Sequence, residues 1–170
     1  MIRPMEKTDA SRVTEIHVFG WRCAYRGIVP DDVLFEKMQV YPRIEKTTAW
    51  IDGEDAFGET YVYDDDTIKA FLTIGLCRDE DKPKTFELGG LYVDPCFQGE
   101  GIGTKLVVFC EKIAEERGYD EICLWTFEKN VSTRAFYEKL GYIADGKTML
   151  VGSYEAVGVR YGKKLNHHRP

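Results

Sequence analysis

The sequence predicts an α/β sandwich: a mixed, mostly antiparallel sheet of six or seven strands, with a β-α-β unit at its centre and about four helices packed on it. Three observations lead there. Residues Phe86 to Val93 alternate as a strand does, break at Asp94-Pro95, and reach a loop with Gly99, Gly101 and Gly103 before an amphipathic run. Glu121 to Phe127 follows as a near-continuous apolar strand, and the order strand, helix, strand makes the two strands parallel. The other strand-like runs are joined by short polar connections, which suit antiparallel neighbours. At 170 residues, with 44% hydrophobic and 31% charged composition, the chain fits one domain with a substantial core. We assign that domain to residues 1–166 and a short C-terminal tail to residues 167–170.

Taken in order, Ile2 to Pro4 read as a first strand, and Thr8 or Asp9 supplies the N-cap of a helix running to about Tyr25. Val13, Ile16, Gly20 and Cys23 follow helical spacing, while His17, Trp21 and Tyr25 lie one turn apart on an adjoining face. Arg26 to Pro30 ends this helix, and Asp31 or Asp32 starts another through about Met38, so the pair forms an arm with an aromatic elbow. Arg43 to about Asp52 is ambiguous and is read as a short helix entering a turn at Asp52-Gly53. Glu59 to Tyr63 and Thr67 to Cys77 are strands joined by Asp64-Asp65-Asp66. That triplet suits a solvated hairpin tip, and it lacks the ligand spacing of a calcium loop.

After the glycine loop, Ile102, Leu106, Phe109 or Cys110, and Ile113 recur at helical spacing, with Gly118 as the stop. Asn130 offers an N-cap to a helix ending at Leu140-Gly141, and Tyr142 to Leu150 and Ala156 to Leu165 form a final hairpin. The tail from Asn166 is polar and frayed.

Composition removes several function classes. No apolar run at the N-terminus reads as a signal peptide, and no stretch of 18 apolar residues occurs, so a cytoplasmic protein without a membrane partner is expected. A net charge of -6 argues against a nucleic-acid partner and is compatible with a cationic acceptor such as an amine. The five cysteines lack C-x-x-C spacing and suggest reduced, mostly buried thiols, with neither disulfides nor a metal site. Cys96, beside the glycine loop, is read as a packing residue or bystander ahead of a nucleophile.

The first N-H groups of a helix have no intrahelical partners and the helix dipole favours negative charge there, so a strand, a glycine loop and a helix N-terminus together bind anions. Gln98 to Gly103 read Q-x-x-G-x-G. They fail the dinucleotide fingerprint, whose third glycine falls three residues after the second, and Gly103-Thr104-Lys105 inverts the ending of a P-loop. A coenzyme A pyrophosphate site is the best remaining match.

Here the chain resembles the GNAT superfamily of acyl-CoA-dependent N-acetyltransferases. Two separated motifs carry the resemblance: the strand with Asp94-Pro95 and Gln98 to Gly103, and Asn130 to Tyr142, which is similar to the family's N-x-x-x-x-x-x-Y-x-x-x-G-[FY] helix. The resemblance implies the GNAT fold, acetyl-CoA as co-substrate, and a pyrophosphate cradle of Gln98, Gly99, Glu100, Gly101, Ile102, Gly103 and Thr104. It also implies a pantetheine track along the backbone of Leu91, Tyr92 and Val93, opened by a bulge at Gly89-Gly90, with Asn130 touching the pantetheine or serving only as a cap. The glycines at 89 and 90 also suit close packing alone.

An N-acetyltransfer needs a neutral amine, a stabilised carbonyl oxygen and a protonated leaving thiol. Tyr137 matches the family's tyrosine acid; Ala135, Phe136 and Leu140 read as the buried stripe of its helix, which puts Tyr137 at the stripe's edge. Glu87 matches in position the glutamate base of some members, acting directly or through a water, and a strand carboxylate facing solvent or a cation is the other reading. The Leu91 N-H is the implied oxyanion donor. Trp21 and Tyr25 either pack against the sheet or wall the acceptor pocket, and His17 reads as a packed or surface residue. The implied reaction is direct attack by a primary amine of a small molecule or peptide in a ternary complex, with a homodimer as one expected assembly. A non-catalytic acyl-CoA-binding module is the alternative.

Overall fold

The computed structural model describes residues 1–52 and 57–165. Gly53 of the turn expected at Asp52-Gly53, and the tail from Asn166, lie outside those residues. Seven strands, β1 (Ile2–Pro4), β2 (Glu59–Asp65), β3 (Thr67–Leu76), β4 (Phe86–Val93), β5 (Glu121–Phe127), β6 (Ile143–Val151) and β7 (Ala156–Lys164), form one sheet in the order β1-β2-β3-β4-β5-β7-β6. Every pair is antiparallel except β4 with β5. The described residues also form four α-helices, α1 (Ala10–Ala24), α2 (Val40–Asp52), α3 (Ile102–Glu116) and α4 (Val131–Lys139). The expected mixed sheet with a central β-α-β unit is therefore present.

The sheet separates two cores. On one face Ile102, Leu106, Val107, Cys110 and Ala114 of α3 and Tyr137 of α4 pack on Leu72, Ile74, Phe86, Leu88, Ile122 and Leu124. On the other, Val13 and Ile16 of α1 pack on Val62, Ile68 and Phe71, with Ile44 and Trp50 of α2 against them. Ile122, Cys123 and Leu124 are all fully buried, and because successive side chains point to opposite faces, β5 is covered on both. Each buried side chain of this size stabilises the fold by about 1.5–3 kcal/mol before chain entropy is counted.

Three local expectations are corrected. The helix expected from Asp31 to Met38 is a single wide turn over Val33–Lys37, closed by Met38 N-H donating to the Val33 carbonyl at 2.9 Å. The following helix begins earlier than expected, at Val40, because Pro42 falls within its first turn, where its missing N-H has no intrahelical role. Within α1 the buried stripe runs Val13, Ile16, Gly20 and Trp21, and Cys23 is exposed. The remaining thiols divide similarly: Cys77, Cys110 and Cys123 are buried, Cys96 is exposed, and all are free.

Punctuation residues sit where the sequence places them. Gly118 and Gly141, just past the ends of α3 and α4, have φ of 80° and 86°, the left-handed conformation that closes a helix at little cost only for glycine. At the tip of the β2–β3 hairpin Asp66 has φ 59°, Asp64 pairs with Arg3, and Asp65 pairs with Lys69 at 2.7 Å.

Candidate active site

The central parallel pair is short. β4 and β5 are in register only at Phe86↔Ile122, Glu87↔Cys123 and Leu88↔Leu124. Beyond Leu88 the strand stays paired with β3 through Gly90↔Thr73, Leu91↔Leu72, Tyr92↔Phe71 and Val93↔Ala70, after a register shift that skips Gly89. The bulge expected at Gly89-Gly90 is present. It bends β4 away from β5 and leaves the β5-facing edge of residues 89–93 without a strand partner.

A cavity of about 480 Å³ fills the wedge. Its walls include Leu91, Tyr92 and Val93 on β4, Gln98, Gly99, Gly101, Ile102, Gly103 and Thr104 from the loop and α3, and Asn130, Phe136 and Tyr137 from α4. Gly101 is the N-cap of α3, has φ 76° and gives no side-chain cap. The N-H groups of Ile102, Gly103 and Thr104 therefore open the helix without intrahelical acceptors. A Cβ added at Gly99 or Gly101 would meet nothing within 4 Å, so the approach to those amides is open. An uncapped helix N-terminus at the rim of a long cavity fits an elongated ligand that carries a pyrophosphate.

Glu100 is the one member of the predicted cradle that does not line the cavity. It is exposed, between Gly99 and Gly101, whose φ values of 86° and 76° reverse the chain twice and turn its carboxylate to solvent. A carboxylate aimed at the amides would compete with the anion they are free to receive. Gln98 donates from Nε2 to the Val93 carbonyl at 3.3 Å, tying the loop back to the strand. Asp94 accepts from Cys96 N-H at 2.8 Å and pairs with Arg12, which anchors the loop to α1.

Asn130 accepts from Thr133 N-H at 3.3 Å and from Ser132 Oγ at 3.2 Å, so it caps α4 as expected. The expected stripe of that helix is corrected. Ala135 is exposed, Phe136 and Leu140 are half-buried, and Tyr137 is the buried residue. The ring of Tyr137 packs edge-on between Phe136 at 5.1 Å and Tyr142 at 5.6 Å, an apolar setting that a phenol fills better than the small Ala135. Burial, and then the neighbouring Tyr92 and Cys110, push its phenol above the usual tyrosine range, so it holds its proton.

The aromatic elbow of α1 divides its work. Tyr25 lines the cavity, and burial raises its phenol well above the usual range. Trp21 stands behind it and donates from Nε1 to the Tyr92 hydroxyl at 3.0 Å. Of the two readings of Trp21, packing is the one the geometry displays, with one hydrogen bond and its indole edge-on to Tyr25 at 4.9 Å and Tyr154 at 5.1 Å.

Glu87 is not brought to the cavity wall. Its side chain is 2% exposed on the α1 face of β4, and it accepts from Arg78 N-H at 3.0 Å, from Arg78 Nε at 3.3 Å, and from Arg78 Nη2. The expected base therefore corresponds here to the cation-facing reading, and proton transfer to it would require Arg78 to let go. The ligand atoms of Cys77, Glu87 and Cys123 lie within 4.8 Å of one another. They partner each other and Arg78: the Cys123 thiol donates to Cys77 Sγ at 3.1 Å, while both Glu87 oxygens face the guanidinium.

Sequence reasoning missed a second pocket of about 210 Å³ on the α1 face of β4, lined by His17, Trp50, Phe57, Gly58, Thr60, Phe71, Thr73, Arg78, Gly89, Gly90 and Tyr92. Gly89, Gly90 and Tyr92 line both cavities, so the two meet at the bulge. His17 packs against Tyr92 at 4.8 Å and against Trp50 and Phe71 at 5.9 Å each. Burial, helped by the positive charges of Arg43 and Lys46, holds its pKa down to about 3. The imidazole is neutral at physiological pH, and the reading of His17 as a packed residue agrees with this.

The Arg78 segment is fixed from behind. The buried guanidinium of Arg160 on β7 bridges Asp79 at 2.9 Å, Asp81 at 2.7 Å and Asp145 at 2.7 Å, and Trp125 Nε1 donates to Asp79 at 2.9 Å. No signal in the sequence joined these residues, because they lie on four separate parts of the chain.

Comparison with known proteins agrees with this architecture. The profile of the family described as Acetyltransferase (GNAT) family matches residues 30–142. An uncharacterized N-acetyltransferase of Methanocaldococcus jannaschii is 36% identical over 62 residues, a match that covers 36% of this chain and only 27% of that relative. A protein of Mycobacterium tuberculosis named as a probable N-acetyltransferase is 25% identical over 178 residues, covering 99% of this chain and 95% of the relative. Among solved structures, the PaiA N-acetyltransferase of Thermoplasma acidophilum in complex with coenzyme A superposes with a TM-score of 0.72 at 22% identity, covering 96% of this chain and 98% of the other. Among the described residues, no helix is long and apolar enough to cross a membrane.

Proposed function

Because this chain belongs to the acetyltransferase (GNAT) family, we propose that it transfers an acetyl group from acetyl-CoA to a primary amine of a small molecule or peptide, by direct attack within a ternary complex. The observation that carries the reading is the wedge itself. The β4–β5 pairing ends at Leu88↔Leu124, and the cavity that opens there runs from the uncapped N-terminus of α3 to the phenol of Tyr137. That the similar PaiA structure was solved with coenzyme A supports the same ligand here.

In this reading the amides of residues 99–104 receive the pyrophosphate, and the amide-rich pantetheine arm pairs with the free edge of Leu91, Tyr92 and Val93 as an added strand would. The thioester then comes to lie beside the Leu91 N-H, which donates to the carbonyl oxygen as it gains charge. Tyr137, kept protonated by its burial, donates to the sulfur as the thiolate leaves. With Glu87 held by Arg78, the amine attacks as the neutral base; as the C–S bond breaks, the proton that its nitrogen sheds passes through solvent to the Tyr137 phenolate left by protonating the sulfur, and Glu87 acts by fixing Arg78.

Calorimetric titration with acetyl-CoA, paired with thiol release over a panel of amines, tests the proposal. Saturable binding with amine-dependent release is expected. Binding without release for any amine would point instead to a non-catalytic acyl-CoA-binding module, and absence of binding would overturn both readings.

A further inference from the structure

Resting on the acetyl-transfer reading, we propose that the pocket on the α1 face of β4 is the acceptor subsite and that it takes a flat, weakly basic aromatic amine. The position follows from the bulge. Gly89 and Gly90 are the backbone between this pocket and the wedge, so a nitrogen held there is adjacent to whatever the wedge holds, and no side chain at these positions stands between. A Cβ at Gly89 would lie 2.3 Å from Cε1 of Phe57, so the Phe57 ring can close on the strand here only while residue 89 is glycine.

The size fits one ring. An apolar cavity of about 150 Å³ accommodates benzene, and about 210 Å³ leaves room for a ring with a short arm. The walls are rings as well. Phe71 and Tyr92 stack at 5.2 Å with an interplanar angle of 25°, His17 meets Tyr92 at 4.8 Å, and Phe57 closes the mouth beneath the Arg78 guanidinium at 4.0 Å. Aromatic faces and edges at these spacings favour a further aromatic ring in offset or edge-on contact. The polar spot among them is the hydroxyl pair of Thr60 and Thr73, 3.2 Å apart.

The charges select against an ammonium ion. From α1 the pocket receives His17, held neutral by burial and by Arg43 and Lys46 of α2. From the β3–β4 connection it receives Arg78, whose charge is met by Glu87 on β4, and from β4 itself the protonated Tyr92. Among the described residues no carboxylate lines either cavity. An alkylamine of pKa about 10.4 is neutral in only about one part in a thousand near pH 7.4, and no described residue lining this pocket offers its cation a counterion. A weakly basic arylamine enters neutral and avoids the large cost of desolvating an ammonium ion.

The test is initial-rate thiol release from acetyl-CoA with aniline, 4-methylaniline, benzylamine, hexylamine and spermidine at several pH values. At pH 7.4 the arylamines should exceed hexylamine in kcat/KM by at least tenfold, and the gap should narrow as pH rises toward 10. Phe57→Leu and Trp50→Leu, whose side chains line only this pocket, should raise the arylamine KM at least fivefold while calorimetric acetyl-CoA affinity stays within twofold, which also reports that each variant is folded. Faster turnover of hexylamine or spermidine than of the arylamines, or arylamine kinetics unchanged in both variants, overturns the inference alone. Loss of acetyl-CoA binding in the unmodified protein, or no release with any amine, overturns the acetyl-transfer reading beneath it.

Discussion

The two cavities that meet at Gly89 and Gly90 are built by opposite means. The wedge between β4 and β5, which α1 also borders through Gly20, Ala24 and Tyr25, owes its binding groups to backbone: a strand edge freed by a bulge, and helix amides left open by Gly101. The pocket on the α1 face is made of side chains brought in from α1, α2, β2, β3, β4 and the β3–β4 connection. A backbone site recognises what is constant in a ligand, its phosphates and amides, and a side-chain site recognises what varies. A wedge of this kind suits a universal carrier, and in the acceptor-subsite proposal the ring pocket is the part that would set specificity.

That contrast can be broken experimentally, beginning where the effect should be largest. Tyr137→Phe removes the hydroxyl and keeps the buried ring. It should lower kcat by about 10²-fold or more, the usual range for a general acid, with acetyl-CoA affinity nearly unchanged by calorimetry. An unaltered kcat would reduce Tyr137 to a packing residue.

Gly101→Val forces a β-branched residue to φ 76° at the N-cap of α3. The strain, about 1–3 kcal/mol, should appear as a tenfold or greater rise in the acetyl-CoA dissociation constant with little change in selectivity among amines. A changed selectivity with intact affinity would mean that the division between the two faces is wrong.

Glu87→Gln leaves Arg78 without its carboxylate. Because that guanidinium is largely exposed, with a side-chain accessibility of 61%, the loss in stability should be about 1–2 kcal/mol, below that of a fully buried pair. The acidic limb of kcat/KM should persist and follow the pKa of the amine in use. Disappearance of that limb would restore Glu87 to the role of base.

His17→Phe gives a pH effect of definite sign. The pKa of His17 is held down to about 3, against an ordinary 6.5, so on acidification the unfolded chain takes up the proton first. The native protein should lose stability as pH falls from about 6.5 toward 3, with a slope approaching about 1.4 kcal/mol per pH unit. In His17→Phe denaturant midpoints should be flatter across that window.

The same contrast explains what was legible in the sequence. The strand, loop and helix from Phe86 to Glu116 are contiguous, and glycine spacing is a direct record of backbone conformation, so the wedge could be read from one stretch. What the motif does not record is which way the Glu100 side chain turns between two left-handed glycines. Tyr137 was located, but its burial was misread: in a helix of 9 residues the stripe was taken from apolar identity, and an amphipathic ring displaced Ala135 from it. Glu87 was placed on the right strand without its partner, since Arg78 reaches it only through the β3–β4 pairing. The ring pocket was illegible as a unit. Residues 17, 50, 57, 71, 78 and 92 share no spacing, and only the tertiary fold brings them together.

The central claim is that the acetyl group crosses directly from one side of β4 to the other while both substrates are bound. The most direct measurement is an initial-rate matrix in which acetyl-CoA and the fastest amine of the panel are both varied. Double-reciprocal lines that intersect, with no acetyl group retained by the protein in the absence of amine, are predicted. Parallel lines, with acetyl trapped covalently on the chain, would contradict the account.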